Sequence, residues 1–333
     1  MQILHPEHSS EHQPPFEIFN GEQTLHSEIP ARFENILRAL KRHNFKLDTI
    51  TEAVPLDLLG EIHSLEYLQY LQSTSVLDAK YHYPSVFQYR TGAKSQNNLA
   101  RQGYFSFDLY TPLSNNTYQS ALDSASTAYQ AAHLIQTGAQ RHVYALCRPP
   151  GHHAEQDQMG GYCYLNNCAV AAQYLSHSGR VATLDVDFHH GNGTQHIFYD
   201  RPDVFSCSIH ADPNWKFPFF SGFENENGRD SGMDFNLNRT LQEGTTNQRY
   251  QRTLVEVVQS IADFHPKYLV VSFGADTHIA DPIGGFQLTT EYFQEMGHTI
   301  ADLNLPTVIV QEGGYNTELL GENVVSFLNG FEN

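Results

Sequence analysis

The sequence predicts a single α/β domain with a central, mostly parallel sheet and helices on both faces. Several short apolar runs rich in Val and Ile show no alternation of polar and apolar residues, which is typical of strands buried on both faces. Helical patterns lie between these runs, and such an alternation indicates a doubly wound sheet. The chain of 333 residues has no linker rich in Pro, Gly and Ser, so one domain spanning residues 1–333 is expected.

The bounds of the elements follow from these runs and from their stop signals. Gly138 and Gly179 end two of the predicted helices, and Pro266 and Pro306 follow two others. The predicted strands are Val143–Cys147, Val181–Asp185, Val204–Ile209, Tyr268–Phe273 and Thr307–Gln311. The predicted helices are Glu28–Arg42, Thr117–Thr137, Asn166–Ser178, Thr246–Phe264 and Thr289–Asn304. Residues 73–107 show no clear period and are interpreted as a long loop, which in a compact domain is usually functional or interfacial.

The composition excludes several classes of protein. The chain carries 19 Lys and Arg against 37 Asp and Glu, and this net charge of −18 argues against nucleic-acid binding, which needs a basic surface. No window is long and apolar enough to span a membrane, and no secretory signal is recognisable at the N-terminus. The four cysteines form no Cys-x-x-Cys pair, so a cytoplasmic protein with reduced thiols is expected.

The first candidate site is Asp185-Val-Asp187-Phe-His189, at the carboxyl end of a predicted strand. The three polar residues are two positions apart, so in an extended chain their side chains lie on one face. Two carboxylates this close destabilise each other unless a cation holds them, and Asp and His ligands suit Zn²⁺, Mn²⁺ or Fe²⁺. A polar turn with capping aspartates is the structural alternative.

A further candidate ligand is Asp276, in the segment Ser272–His278 after another predicted strand. Neighbouring parallel strands deliver their carboxyl ends to one crevice, where Asp276 can complete the same metal site. On its own, an Asp close behind a Gly is commonly a turn residue.

His152 and His153 follow the strand Val143–Cys147 through a rigid Arg-Pro-Pro-Gly turn. Two adjacent imidazoles can divide their roles, with one neutral as a general base and the other charged as electrostatic support. Metal ligation and simple exposure on a loop are the alternatives.

The last cluster, Glu312-Gly-Gly-Tyr315, follows the strand Thr307–Gln311. The glycines allow a tight turn that would present the Tyr315 hydroxyl to the crevice, where a phenol can donate to a developing oxyanion. A packed loop aromatic is the alternative. Together the clusters supply a metal, a base and an oxyanion donor, which are the requirements of metal-assisted amide or ester hydrolysis.

In combination, these motifs resemble the histone deacetylase family of the arginase/deacetylase fold, and within it the bacterial acetylpolyamine amidohydrolases. The matching pieces, in the family's order, are Arg148–Ala154, Gly160–Asn167, Leu184–Gln195, Val271–Asp276, Asp281–Ile283 and Glu312–Tyr315. The helical start at Glu28 and the stretch from His63 to Leu68 also fit, whereas residues 73–107 match only loosely.

The resemblance implies a set of catalytic roles. A single Zn²⁺ per chain would be held by Asp187, His189 and Asp276. His153 would serve as general base and then general acid, while His152 remains an electrostatic support.

The other implied residues support this centre. Asp185 would back His152, and Asn192 would stand beside His153 where some members of the family carry Asp. Tyr315 would donate to the carbonyl oxygen as it becomes an oxyanion. The resemblance also implies a monovalent cation, usually K⁺, bound near Asp185, Asp187, His189 and Ser208.

The resemblance also suggests how a substrate is bound. Gly161 would accept the scissile amide N–H through its carbonyl, and Tyr162 and Phe217 would flank a narrow tunnel for an acetyl-amine chain. Family members usually carry an acidic residue just before the segment matching Thr111, but this chain has Tyr110 there. Asp108, two positions earlier and on the same side of an extended strand, is the candidate replacement.

The function implied is zinc-dependent hydrolysis of an acetylpolyamine, or of a similar small cationic acetyl-amine, to acetate and the free amine. Deacetylation of acetyl-lysine in proteins or peptides is the alternative. Two more distant alternatives are a binuclear manganese hydrolase of the arginase type and a non-catalytic binder. The arginase-type site needs more carboxylates. In the amidohydrolases the loop matching residues 73–107 builds a homodimer, so a homodimer is expected here as well.

Overall fold

The computed structural model describes residues 1–7, 9–78, 80–86, 95 and 97–332. Ten strands and ten α-helices lie within these residues. The strands are β1 (Gln2–His5), β2 (Phe16–Phe19), β3 (Glu22–Leu25), β4 (Lys46–Thr49), β5 (His142–Ala145), β6 (Val181–Asp185), β7 (Val204–Ala211), β8 (Asn236–Leu241), β9 (Tyr268–Phe273) and β10 (Thr307–Gln311). The helices are α1 (Pro30–Arg42), α2 (Leu56–Gly60), α3 (Leu65–Ser73), α4 (Asn98–Gln102), α5 (Thr117–Gln136), α6 (Asn167–Ser176), α7 (Asn192–Phe198), α8 (Asn247–Phe264), α9 (Thr290–Ala301) and α10 (Leu320–Gly330).

In the described part of the chain, eight strands form one parallel sheet in the order β4-β1-β5-β10-β9-β6-β7-β8. Every residue of β6, β9 and β10 is buried. Successive side chains of a strand point to opposite faces of the sheet. In β9, Leu269 and Val271 pack in one hydrophobic core and Val270 packs in the other. The fold class predicted from the sequence is therefore confirmed as a single α/β domain. Strands β2 and β3 form a separate antiparallel hairpin.

The sequence patterns located β5, β6, β7, β9 and β10, and they missed the interior strand β1 as well as both edges of the sheet. The bounds of β6, β9 and β10 agree with the prediction, β5 is displaced towards its N-terminus, and β7 runs on to Ala211. Strands β4 and β8, which were not predicted, are the two edges of the sheet and carry partly exposed polar residues. An edge strand needs no continuous apolar run, because one of its sides has no neighbouring strand.

The segment interpreted as a loop, residues 73–107, lies partly outside the described residues. Its described part includes the short helix α4, which the sequence pattern did not reveal. No helix in the described ranges has the length and apolar character needed to cross a membrane. Cys147, Cys163, Cys168 and Cys207 are all buried and free.

Candidate active site

The candidate residues gather at the ends of four neighbouring strands. Strands β5, β10, β9 and β6 are adjacent in the middle of the sheet. Their carboxyl ends lead respectively to the His152–His153 pair, to Tyr315, to Asp276 and to the segment Asp185–His189. The sheet order thus brings the four clusters found in the sequence to one crevice, as expected for parallel strands.

Asp187, His189 and Asp276 form a compact group. One possible ligand atom from each residue lies within 4.8 Å of the others, and all three residues are buried. His189 Nδ1 is 3.0 Å from Asp276 Oδ2 and 3.4 Å from Asp187 Oδ1. Two carboxylates and one imidazole form an open three-ligand set that leaves room for water or substrate on a catalytic zinc. This donor set fits a divalent metal ion.

Backbone amides hold this group in place. The N–H of Asp187 donates to Asp185 Oδ1 at 3.0 Å, and the N–H of His189 donates to Asp187 Oδ1 at 2.8 Å. The N–H of Gly313, from the loop after β10, donates to Asp187 Oδ2 at 2.8 Å. A Cβ atom on Gly313 would lie 2.5 Å from that same oxygen, so only glycine permits this close approach.

The electrostatics of the group show an excess of negative charge. Burial, and then the charge of Asp187, raises the pKa of Asp276 to about 7. Burial alone would lower the pKa of His189, but hydrogen bonds to Asp187 and Asp276 raise it to about 9. The two carboxylates and the imidazole therefore favour additional positive charge between them. This is the property that a cation site requires.

A second group of possible metal ligands lies nearby. His152, Cys163 and Glu312 also present ligand atoms within 4.8 Å of one another. Each has other partners, however: Glu312 Oε2 accepts the N–H groups of Gly151 at 2.6 Å and His152 at 3.1 Å. Burial raises the pKa of the Cys163 thiol well above its usual value, which disfavours the thiolate that metals bind. The first group is the better metal site.

His152 is paired with a carboxylate. Its Nδ1 lies 2.9 Å from Asp185 Oδ2, and its Nε2 lies 3.9 Å from Asp187 Oδ1. Burial by itself lowers the pKa of His152, but the charges of Asp185 and Asp187 outweigh burial and raise it to about 10. His152 is therefore a cation at neutral pH.

His153 has the opposite character. Its Nδ1 lies 2.7 Å from Asn192 Oδ1, and its ring centroid lies 4.0 Å from that of His152. Burial, followed by the charges of His152 and His189, lowers the pKa of His153 well below its usual value. His152 and His153 therefore lie side by side with pKa values shifted in opposite directions.

Tyr315 lies on a well-anchored loop. Its N–H donates to Asp281 Oδ2 at 2.6 Å, and the guanidinium of Arg32 lies 4.6 Å from its ring centroid. Arg32 Nε also donates to the Gly314 carbonyl at 2.6 Å. Burial raises the pKa of Tyr315 well above its usual value, so the side chain stays a neutral phenol that can donate a hydrogen bond.

The predicted tunnel residues surround His153. A Cβ atom on Gly161 would lie 2.2 Å from His153 Cδ2, so the imidazole packs directly on this glycine. Phe217 meets the His153 ring edge-on at a centroid distance of 5.0 Å. Tyr162 is 5.8 Å from the Tyr315 ring. Gly161, Tyr162 and Phe217 therefore lie around the same crevice.

Two carboxylates lie behind this wall. Asp108 accepts the N–H groups of Gly161 and Tyr110, so it binds the backbone of the wall itself. Glu17, from the β2–β3 hairpin, accepts the Tyr162 hydroxyl at 2.6 Å. Burial raises the pKa of Asp108 to about 6 and also raises that of Glu17. The sequence analysis missed Glu17 because its partner is distant in the chain and the hairpin carries no motif.

The residues expected around K⁺ are also close together. Strands β6 and β7 pair Asp185 with Ser208, and both residues are buried. Ser208 Oγ lies 2.8 Å from His210 Nδ1.

A buried ion cluster beside the site was also not anticipated. Glu28 lies between Arg32 Nη1 at 3.0 Å and Arg148 Nε at 2.7 Å. Arg32 Nη2 donates to the Glu312 carbonyl at 2.6 Å. This cluster supports the loop that carries Tyr315. Glu28 and Arg32 are four residues apart, but no sequence spacing links them to Arg148.

Comparison with known proteins agrees with this geometry. The histone deacetylase domain matches residues 26–331 of the chain. The chain belongs to the histone deacetylase domain family. This histone deacetylase family member is 38% identical over 327 residues to acetylpolyamine amidohydrolase 1 of Pseudomonas aeruginosa, covering 95% of this chain and 94% of that protein. It is 37% identical over 339 residues to the acetylpolyamine amidohydrolase of Mycoplana ramosa, covering 99% of both chains.

Solved structures give the same family. The crystal structure of an acetylpolyamine aminohydrolase from Burkholderia pseudomallei superposes with a TM-score of 0.94 at 34% identity, covering 99% of this chain and 98% of that one. The resemblance stated from the motifs is therefore confirmed, and family and relatives together indicate an amidohydrolase or deacetylase.

Proposed function

We propose that this protein is a mononuclear zinc amidohydrolase that cleaves acetylated polyamines, or similar small cationic acetyl-amines, to acetate and the free amine. The observation that carries the proposal is the convergence of an open three-ligand metal group, a pair of histidines with oppositely shifted pKa values and a half-buried phenol at the ends of four adjacent strands. This combination is suited to hydrolysis of an unactivated amide.

Asp187, His189 and Asp276 would hold the Zn²⁺. When bound, the ion supplies a Lewis acid that polarises the acetyl carbonyl and acidifies a water. A binuclear manganese centre of the arginase type would need further free carboxylates. Near this group, Asp185 faces His152 and Asp281 accepts the N–H groups of Tyr315 and Asn316.

The protein's own residues would carry the proton transfers. His153 is neutral and takes the proton of the attacking water as the new C–O bond forms. The Tyr315 phenol donates a hydrogen bond to the carbonyl oxygen as it gains negative charge, a contribution of about 3–4 kcal/mol in comparable sites. His153 then passes its proton to the amine nitrogen as the C–N bond breaks, while His152 stays charged throughout.

The preference for a cationic chain rests on the wall of the site. Glu17 accepts the Tyr162 hydroxyl and Asp108 accepts the Gly161 N–H, so both carboxylates lie behind the wall and would attract an ammonium group through their charge and not by direct contact. Aromatic faces and carboxylates are the usual partners of ammonium groups. The relatives from Pseudomonas aeruginosa and Mycoplana ramosa are named acetylpolyamine amidohydrolases, which supports the same substrate class.

Two further parts of the proposal concern assembly and ions. A K⁺ bound near Asp185, Asp187, His189 and Ser208 would balance carboxylate charge beneath the centre. We also propose a homodimer, a cytoplasmic location and no binding of nucleic acid, which a net charge of −18 disfavours.

The test is a substrate panel on protein stripped by chelation and reconstituted with Zn²⁺ or Mn²⁺. We expect turnover of acetylputrescine and acetylspermidine to exceed that of an acetyl-lysine peptide, with one Zn²⁺ per chain. Turnover of the peptide far above that of the polyamines would instead assign a protein deacetylase. Activity only with two Mn²⁺ per chain would replace the mononuclear centre.

A further inference from the structure

The side-chain amide of Asn192 is held on both sides. Its Oδ1 lies 2.7 Å from His153 Nδ1. Its Nδ2 donates to Glu155 Oε1 at 2.8 Å and, more weakly, to the backbone carbonyl of His153 at 3.3 Å. A carboxylate and a carbonyl only accept hydrogen bonds, so the amide nitrogen must face them and the amide oxygen must face His153.

This orientation fixes the position of a proton on His153. Because Asn192 Oδ1 can only accept, His153 Nδ1 must carry the hydrogen. In a neutral imidazole the other nitrogen, Nε2, is then unprotonated and free to act as a base. An aspartate at position 192 would present only acceptor oxygens to His153, so its orientation would not matter. An asparagine turned by 180° would instead present an N–H to His153 Nδ1 and favour the tautomer with the hydrogen on Nε2.

We propose that Glu155 is a positioning residue that selects the catalytic tautomer of His153 by orienting Asn192. The proposal rests on the proposed function in one respect, namely that His153 is the base. The hydrogen-bond chain itself is independent of the substrate.

Glu155 is a stronger acceptor here than the His153 carbonyl. Its bond to Asn192 is shorter by half an ångström and is assisted by the carboxylate charge. Its second oxygen, Oε2, lies 2.9 Å from His196 Nδ1, which anchors the carboxylate from the outside. Glu155 is 14% exposed and is thus a nearly buried link between a surface histidine and the general base.

The surroundings allow substitutions at this position. Glu155, Asn192 and His196 border a surface cavity of about 510 Å³, which Phe107 and Phe220 also line. A smaller side chain at position 155 would enlarge an existing solvent-facing space and leave the apolar core unchanged. Variants of Glu155 are therefore expected to fold.

The first test compares Glu155→Ala with Glu155→Gln on acetylputrescine. The alanine variant loses the acceptor, so kcat should fall about 10-fold while KM changes by less than about twofold, in line with the effects of residues that orient ligands from outside. The glutamine variant keeps an acceptor oxygen and should retain most of kcat. The matched control is Glu52→Ala, which removes a similar carboxylate–imidazole pair with His133 at the surface and should leave kcat unchanged.

A double-variant cycle separates positioning from a merely structural role. In an Asn192→Asp background the base is oriented without Glu155, and the two carboxylates repel each other. Adding Glu155→Ala there should leave kcat unchanged or raise it. Unchanged kcat in the single Glu155→Ala variant, or an equal loss in both backgrounds, overturns the proposal.

The tautomer can also be observed without turnover. In ¹⁵N-histidine-labelled protein, with the His153 signals assigned by their loss in His153→Gln, the wild type should show the hydrogen on Nδ1, and Glu155→Ala should show a mixture. A hydrogen on Nε2 in the wild type contradicts the proposal. Because this spectrum needs no substrate, a failed substrate panel overturns the proposed function and still leaves this inference testable.

Discussion

Two buried clusters of charge lie beside one another in this protein, and they differ in how far nearby cations balance their carboxylates. In the cluster of Glu28, Arg32 and Arg148, one carboxylate meets two guanidinium groups. Their other N–H groups donate to backbone carbonyls, including those of Gly314 and His12. Burial alone raises the pKa of Glu28, but the charges of Arg148 and then Arg32 lower it to about 2. This cluster is complete without any ligand.

The cluster of Asp187, His189 and Asp276 has fewer cations for its carboxylates. Its two carboxylates differ. Burial alone would raise the pKa of Asp187, but the charge of His152 and the hydrogen bond to His189 lower it. Burial and the charge of Asp187 raise the pKa of Asp276 to about 7, where that of Glu28 is lowered. Both clusters are buried to a similar degree, so burial does not explain the difference. The difference lies in the number of nearby cations. A buried carboxylate that lacks enough nearby cations therefore marks a candidate functional site, whereas a carboxylate that is fully paired is typical of a structural ion pair.

The largest effect is expected from Asp187→Ala, which removes one of the three proposed zinc ligands. Bound Zn²⁺ should fall from one per chain to near zero, and turnover should fall at least about 10³-fold, because a catalytic zinc needs its protein ligands. Metal analysis after dialysis provides the measurement. Asp203→Ala, which alters a surface carboxylate paired with Arg201, is the control and should keep its metal. Stoichiometric zinc in Asp187→Ala would refute the ligand assignment.

Tyr315 links the two clusters, since its ring lies against Arg32 and its loop follows the strand next to Asp276. Tyr315→Phe keeps the ring and its contact with the guanidinium but removes the hydroxyl. We expect kcat to fall on the order of 10²-fold or more, with zinc content and melting temperature unchanged. Tyr129→Phe, at a half-buried position of α5 outside the site, is the control. Normal turnover of Tyr315→Phe would remove the hydroxyl from the mechanism.

The sequence reveals the cluster of Asp187, His189 and Asp276 far more readily than the cluster of Glu28, Arg32 and Arg148. Asp185, Asp187 and His189 are two residues apart behind a buried strand, so local geometry alone brings them together, and Asp276 follows an adjacent strand. Glu28 and Arg148 are 120 positions apart, and only the packed fold makes them neighbours. The same holds for Glu17 with Tyr162 and for the contact of Asn192 with Glu155, because side-chain partners across separate elements leave no periodic signal.

Breaking the cluster of Glu28, Arg32 and Arg148 should lower the unfolding free energy of the protein. Glu28→Gln leaves two buried guanidinium groups without their anion, and breaking a buried ion pair costs about 3–5 kcal/mol of unfolding free energy. Urea unfolding at neutral pH measures this loss. Glu322→Gln, which breaks an exposed contact with Arg42 and His43, should cost no more than about 1 kcal/mol. A similarly small loss for Glu28→Gln would show that the cluster contributes little to stability.

The smallest expected effect is the pH dependence of the unfolding free energy that is lost in Glu28→Gln. The pKa of Glu28 is about 2 in the folded protein and lies near its ordinary value of about 4.3 when the chain is unfolded. A carboxyl group whose pKa is lowered on folding stabilises the protein above its unfolded pKa, and this contribution disappears as the pH falls through the folded value. The difference in unfolding free energy between wild type and Glu28→Gln should thus be constant from pH 7 to 5.5 and shrink from about pH 4.5 downwards. The difference isolates Glu28, because all other carboxyl groups titrate in both proteins. A difference that stays constant down to pH 3 would mean that hydrogen-bond geometry, and not the charge of Glu28, holds the two arginines.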